Sequence, residues 1–182
     1  MSVPLATRAA RLGLGLAGRL DFLPGLLTRL VIGWAFVQTG GGKLANIENT
    51  VAFFTDLGIP MPELNAAFVA RLEYWGGLAL IVGLLTRLAA AGLFSTMAVA
   101  LMTADKATFL TALSGSGEVG LTDVTPVVYA LFLLWLVLKG PGALSLDTLL
   151  AKALGLTATT TATATAEGGL GGATSPAPPR ID

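Results

Sequence analysis

The chain has 182 residues, of which 54% are hydrophobic and only 12% charged, and its 11 basic and 11 acidic side chains give a net charge of zero. A soluble domain carries about a quarter of its residues as charges, so this composition, with a mean hydropathy of +0.77, points to lipid as the solvent, and the zero balance excludes general affinity for nucleic acid. Cysteine and histidine are both absent; for this chain alone that excludes disulfides, thiolate nucleophiles and imidazole or thiolate metal sites, and leaves any redox chemistry to a bound cofactor or a partner.

Residues 1–22 form a basic N-terminal segment. On a helix, Arg8, Arg11 and Arg19 fall within an arc of about 80°, with Leu5, Leu12, Leu16 and Leu20 beside them. That pattern fits an interfacial helix; Gly13, Gly15 and Gly18 fit a flexible leader instead. The apolar run 12–18 is short and no small-residue cleavage site follows it, so a cleaved signal peptide is not expected.

Four apolar runs follow, at about Leu23–Leu44, Ala66–Leu85, Leu88–Ala104 and Val124–Leu138. Each approaches the roughly 20 residues needed to cross a hydrocarbon layer, the last being the shortest. The predicted fold class is therefore all-α, a bundle of four transmembrane helices over residues 23–152. Thr86 and Arg87 alone separate the second and third runs, predicting a tight antiparallel hairpin. Between the first two runs, Ile47, Val51, Phe54 and Leu57 recur at helical spacing, predicting a short amphipathic helix in the first outer loop, stopped by Gly58 and Pro60. Residues 107–122, rich in Gly, Ser and Thr, are expected as a connection, and 153–182, rich in Thr, Ala, Gly and Pro, as a disordered tail. Basic residues in the short loops divide seven to three: Arg8, Arg11, Arg19, Arg29, Arg87, Lys139 and Lys152 against Lys43, Arg71 and Lys106. This predicts cytoplasmic termini in a multi-pass protein of the plasma membrane.

Charges inside apolar runs are expensive and direct attention to sites. Arg29, Gly33, Phe36, Gly40 and Lys43 share one stripe of the first helix, and Glu73, Gly76, Gly77 and Gly83 one region of the second. The glycines predict close helix packing. With the orientation above, Lys43, Arg71, Glu73, Asp105 and Asp123 gather at the outer end of the bundle, with Trp75 beside them and Gln38 a turn below Lys43. Two readings of this constellation stand side by side. One is a polar pocket for a quinone head group, a lipid or a small anion; in the other, Lys43 and Glu73 staple two helices. No protease, kinase, nucleotide or metal signature is present, and no catalytic residue is assigned.

Four stretches resemble the DoxX family of small membrane proteins. They are Arg29–Gly33 with Gly40–Leu44; Phe54–Pro62; Glu73–Leu80 running into Gly83–Arg87; and Lys139–Asp147. Together they cover about residues 26–150. The resemblance implies a four-helix membrane bundle. It also implies a place in membrane redox assemblies, since some relatives accompany a superoxide dismutase and a sulfurtransferase, and the similar DoxD proteins are the membrane subunit of a thiosulfate:quinone oxidoreductase. Many relatives carry a histidine near the end of the third span, where this chain reads Met102–Asp105. The expectation is a non-catalytic subunit or scaffold of a redox or stress-response complex, binding quinone or lipid. The alternatives are a thiosulfate:quinone oxidoreductase subunit and a small carrier. The expected partners are the bilayer, a redox enzyme and, through the glycine-rich faces, a second copy of the chain.

Overall fold

The computed structural model describes residues 20, 22–115, 117, 119–142 and 144–155. The expectations for the basic segment 1–22 and the tail 153–182 lie outside these residues, apart from positions 20, 22 and 153–155. All regular structure in the described residues is helical: α1 (Phe22–Ala45), α2 (Ile47–Asp56), α3 (Pro62–Val82), α4 (Thr86–Met102), α5 (Lys106–Ser114), α6 (Thr125–Lys139) and α7 (Leu146–Ala153). The compact unit that holds the first six closes at Leu149, within α7.

Local chemistry sets several of these boundaries. Pro62 opens α3, where its missing N–H costs little. The same helix ends on Gly83 at φ 75°, with the N–H of Gly83 donated to the Leu80 carbonyl and that of Leu84 to the Ala79 carbonyl. This is the left-handed glycine stop that closes many helices. The connection from α3 to α4 is thus Gly83–Leu85, and Thr86 already belongs to the next helix. The segment expected as a Gly/Ser/Thr connection begins instead with α5. Its glycines lie at 115, 117 and 120, and the stretch before them is rich in Ala and Leu, which favour helix.

The helices α1, α3, α4 and α6 close a ring, α1 packing chiefly on α3, α3 on α4, α4 on α6, and α6 back on α1. Ile32, Phe36, Leu80, Ala90, Leu93, Leu133 and Leu136 form its core, with Tyr129 tilted against Phe36 at 5.6 Å between ring centres. The α1–α3 contact is backbone on backbone. A Cβ at Gly33 would stand 2.8 Å from the Gly77 carbonyl oxygen, and one at Gly77 would stand 2.6 Å from that of Gly33. Gly40 lies equally close, its Cβ position 2.9 Å from the Ala70 carbonyl, while Gly76 admits Leu93 of α4.

By length and apolarity, one described helix, α1, suffices to cross a membrane alone. α4 and α5 pass that measure together but are bent by 80° at the break between them, and α6 is apolar with only 15 residues. The four full-length spans expected from the sequence are therefore not matched helix for helix. Glu63, Arg71 and Glu73 dilute the apolar character of α3, and at 1.5 Å per residue α6 reaches only about 22 Å.

Candidate binding site

Two polar clusters occupy the bundle. The first lies where α2 covers α3. Asn46 joins α1 to α2, and the Thr50 hydroxyl reaches back to the Lys43 carbonyl of α1 at 3.4 Å, which holds the amphipathic helix close to the end of α1. Phe54, on the inner face of α2, is buried. Beneath α2 lies a cavity of about 400 Å³, walled by α2, α3 and α4 and by the Ile59–Pro60 turn. Phe53, Phe54, Leu57, Phe68, Val69, Met97 and Val99 make most of its wall.

The charged end of this cavity is Lys43 and Glu73. Glu73 is only 1% exposed, and both its carboxylate oxygens accept from the Lys43 Nζ, at 2.5 and 2.6 Å. The Lys43 side chain is 32% exposed. Ser95, Thr96 and Thr103 also face the cavity, but each hydroxyl proton goes to a carbonyl of its own helix: Gly92 at 2.6 Å, Leu93 at 2.8 Å and Val99 at 2.8 Å. Chemically, then, the cavity is a chiefly apolar chamber that carries one ion pair, three internally bonded hydroxyls and the Asn65 amide, whose Nδ2 donates to the Pro60 carbonyl at 2.6 Å. Among the described residues, no three acidic side chains gather in a way that could hold a metal.

The other residues of the sequence constellation stand elsewhere. Gln38 is exposed on α1. Arg71 is exposed and donates to the Ala67 carbonyl of its own helix at 3.0 Å. Trp75 is 64% exposed and meets Tyr74 edge-on. Asp105 precedes α5 without a side-chain capping bond, and the Asp123 carboxylate accepts the Gly120 N–H at 2.8 Å. None of the five lines the cavity.

The second cluster, at the opposite end of α1, is one that sequence reasoning missed. Arg29 is only 2% exposed. Its guanidinium donates to the Pro141 carbonyl and, at 2.6 Å, to the Leu144 carbonyl. Gly83 makes room for it, since a Cβ there would stand 2.8 Å from Arg29 Nη1. The same loop delivers Asp147, whose carboxylate accepts the N–H groups of Leu85 and Thr86, and whose own N–H donates to the Gly83 carbonyl at 3.0 Å. Ser145 and Thr148 bond to each other and to the Gly142 carbonyl. Buried Arg29 Nε and Thr86 Oγ1 have no partner among the described residues; the bonds of the cluster join the first described helix, the α3–α4 turn and the 141–147 loop. The signal in the sequence was the pairing of a buried-run arginine with a Gly-Pro-Gly loop, but nothing in one sequence tells which loop an arginine will meet.

A sequence model described as DoxX matches residues 25–106, the stretch that contains Lys43 and Glu73. Over 130 residues the chain is 28% identical to the inner membrane protein YphA of Escherichia coli (strain K12), covering 67% of this chain and 86% of that protein. Over 128 residues it is 33% identical to the inner membrane protein YqjF of the same organism, covering 70% of this chain and 92% of that one. No solved structure matches.

Proposed function

From the premise that this chain belongs to the DoxX family of membrane proteins, we propose that it holds one amphipathic molecule, a quinone or a lipid, in the cavity beside Lys43 and Glu73. In this reading it is a non-catalytic subunit or scaffold of a redox or stress-response assembly in the plasma membrane. α1, α3, α4 and α6 cross the bilayer, with both termini cytoplasmic. The observation that carries the ligand reading is the chamber itself, apolar along its wall and charged at one end, the shape and chemistry of a site for a small amphiphile.

Other features agree with a lipid setting. Val31, Trp34, Phe68, Trp75, Val82, Leu131 and Leu138 are all exposed, a load of apolar surface that water tolerates poorly. The shortness of α6 is met by local thinning of the bilayer. The two relatives are inner membrane proteins, and the basic residues favour the stated orientation.

The test begins with protein purified in mild detergent, with mass spectrometry of the lipids, quinones and proteins retained. A stoichiometric amphiphile together with a redox enzyme is the expected result. Bulk lipid in bilayer proportions, and no partner, would sink the reading. Thiosulfate-dependent quinone reduction by the purified assembly, abolished by changes at Lys43 or Glu73, would replace a scaffold by a catalytic subunit. Because the chain has no cysteine, single cysteines report topology cleanly. An impermeant maleimide should reach Asp56→Cys and Lys106→Cys from outside, and Lys139→Cys only after permeabilisation.

A further inference from the structure

The charged end of the cavity has a fixed charge balance and a fixed set of hydrogen-bond donors. One ammonium faces one carboxylate, so the pair is neutral. Both oxygens of Glu73 are held by the same Nζ. An ammonium has three N–H bonds; two oxygens use two of them at most, and among the described residues Nζ donates to nothing else. One N–H of Lys43 is therefore left over on a side chain that lines the cavity. The hydroxyl protons of Ser95, Thr96 and Thr103 are engaged on their own helix, and the Asn65 amide, also in the wall, gives an N–H to the Pro60 carbonyl at 2.6 Å, so Lys43 is the charged donor left for an acceptor on a ligand.

These constraints act differently on different head groups. An anionic head would bring a second negative charge beside Glu73, which is only 1% exposed and whose single counter-charge is already engaged, where an uncompensated charge is costly. A cationic head would meet the ammonium. An uncharged head with an oxygen acceptor meets neither obstacle and takes the spare N–H in a charge-assisted hydrogen bond. We propose that the occupant of the cavity is an uncharged, carbonyl-headed lipid-soluble molecule, its oxygen on Lys43 and its apolar body along Phe54, Phe68 and Val99. Fatty acids, phospholipids and lipophilic amines are thereby disfavoured. This inference rests on the reading of the cavity as a ligand site. Phe53, Phe68 and Val99 line the cavity and are also exposed, which gives the tail a route out to the bilayer.

The test uses the full chain in liposomes and three photoreactive probes sharing one decyl tail with a diazirine at its end. Their heads are a 1,4-benzoquinone, a carboxylate and a trimethylammonium, and labelled peptides are mapped by mass spectrometry. In the native chain the benzoquinone probe should label cavity peptides about tenfold or more over the other two, the discrimination expected of one hydrogen bond to a charged donor. Glu73→Gln leaves the lysine charge uncancelled and should turn the preference to the carboxylate probe. The double change Lys43→Met with Glu73→Leu leaves no charge unpaired, which guards against misfolding, and it should remove the discrimination while the cavity remains labelled. Labelling of the native chain by the carboxylate or ammonium probe at or above the level of the benzoquinone would overturn the neutral-head inference and leave the cavity reading standing. Labelling of the cavity by none of the three would remove both.

Discussion

Asp147 caps a helix that begins sixty-odd positions before it: its carboxylate accepts the N–H of Leu85 at 2.7 Å and that of Thr86 at 2.9 Å. Leu85 itself is in the left-handed region, at φ 49°, a conformation that a branched apolar side chain adopts only when its surroundings hold it there. The negative charge also lies at the positive end of the α4 dipole. The cap that most helices take from a neighbouring Ser, Thr or Asp is here supplied by a distant loop.

Removing that cap should be felt. Asp147→Ala is expected to cost about 1–2 kcal/mol, the range found for lost N-caps, and Asp147→Asn less, because one acceptor oxygen remains. Thermal unfolding of the detergent-solubilised protein measures both. Equal melting temperatures for Asp147→Ala and the native chain would deny the cap any energetic role.

Arg29 bridges two carbonyls, of Pro141 and Leu144, with two different nitrogens of one planar group. Lysine offers one nitrogen in place of two and lacks the planar fork, so Arg29→Lys is expected to lose about 1–3 kcal/mol despite keeping the charge. Limited proteolysis in the 141–147 loop should accelerate in step. An unchanged cleavage rate would mean that the loop holds its place without the arginine.

The glycines divide into those that touch and those that do not. Gly33→Ala and Gly77→Ala set a methyl group against opposing backbone and should each cost about 1–3 kcal/mol. Gly42 meets nothing within 4 Å, and Gly42→Ala should be neutral or stabilising by up to about 1 kcal/mol, through helix propensity. A melting series of these variants separates packing from propensity. Equal losses at all three positions would contradict the contact at the α1–α3 crossing.

Lys43 and Glu73 are bonded to each other but differently placed, and the asymmetry is testable. Lys43→Ala strands a carboxylate that is almost wholly buried, with an expected cost of about 3 kcal/mol or more. Glu73→Ala leaves a lysine already 32% exposed, whose long stem can carry its charge to solvent, at about 1 kcal/mol. A double-mutant cycle gives their coupling. Equal single losses would indicate that both charges are equally free to reach water.

The helices were legible because their apolar runs are nearly continuous: the expected 23–44 stands as Phe22–Ala45, and the expected helix around Ile47–Leu57 stands as Ile47–Asp56. α5 was hidden because Ala107–Leu113 was averaged with the glycines behind it. The end of α3 and the start of α4 were displaced by a few residues because hydropathy does not see a left-handed glycine. Charges embedded in apolar runs drew attention to Lys43 and Glu73, and these two do share a cavity. Asp105, Asp123, Arg71 and Gln38 were grouped with them by depth in the bundle alone, which cannot tell the side of a helix that faces inward from the side that faces out. The bonds of Arg29 and Asp147 join positions 61 to 115 apart, and no local pattern announces them.

Arg29 lies on the first described helix, while the two carbonyls that receive it are 112 and 115 positions further along. Without that loop the Arg29 guanidinium loses both carbonyl acceptors, and burying it in the ring becomes costly. The seating of α1 in the ring is thus coupled to the 141–147 loop. Cutting the chain before Pro141 would remove both acceptors at once, so the arginine ties the first described helix to a loop more than a hundred positions later.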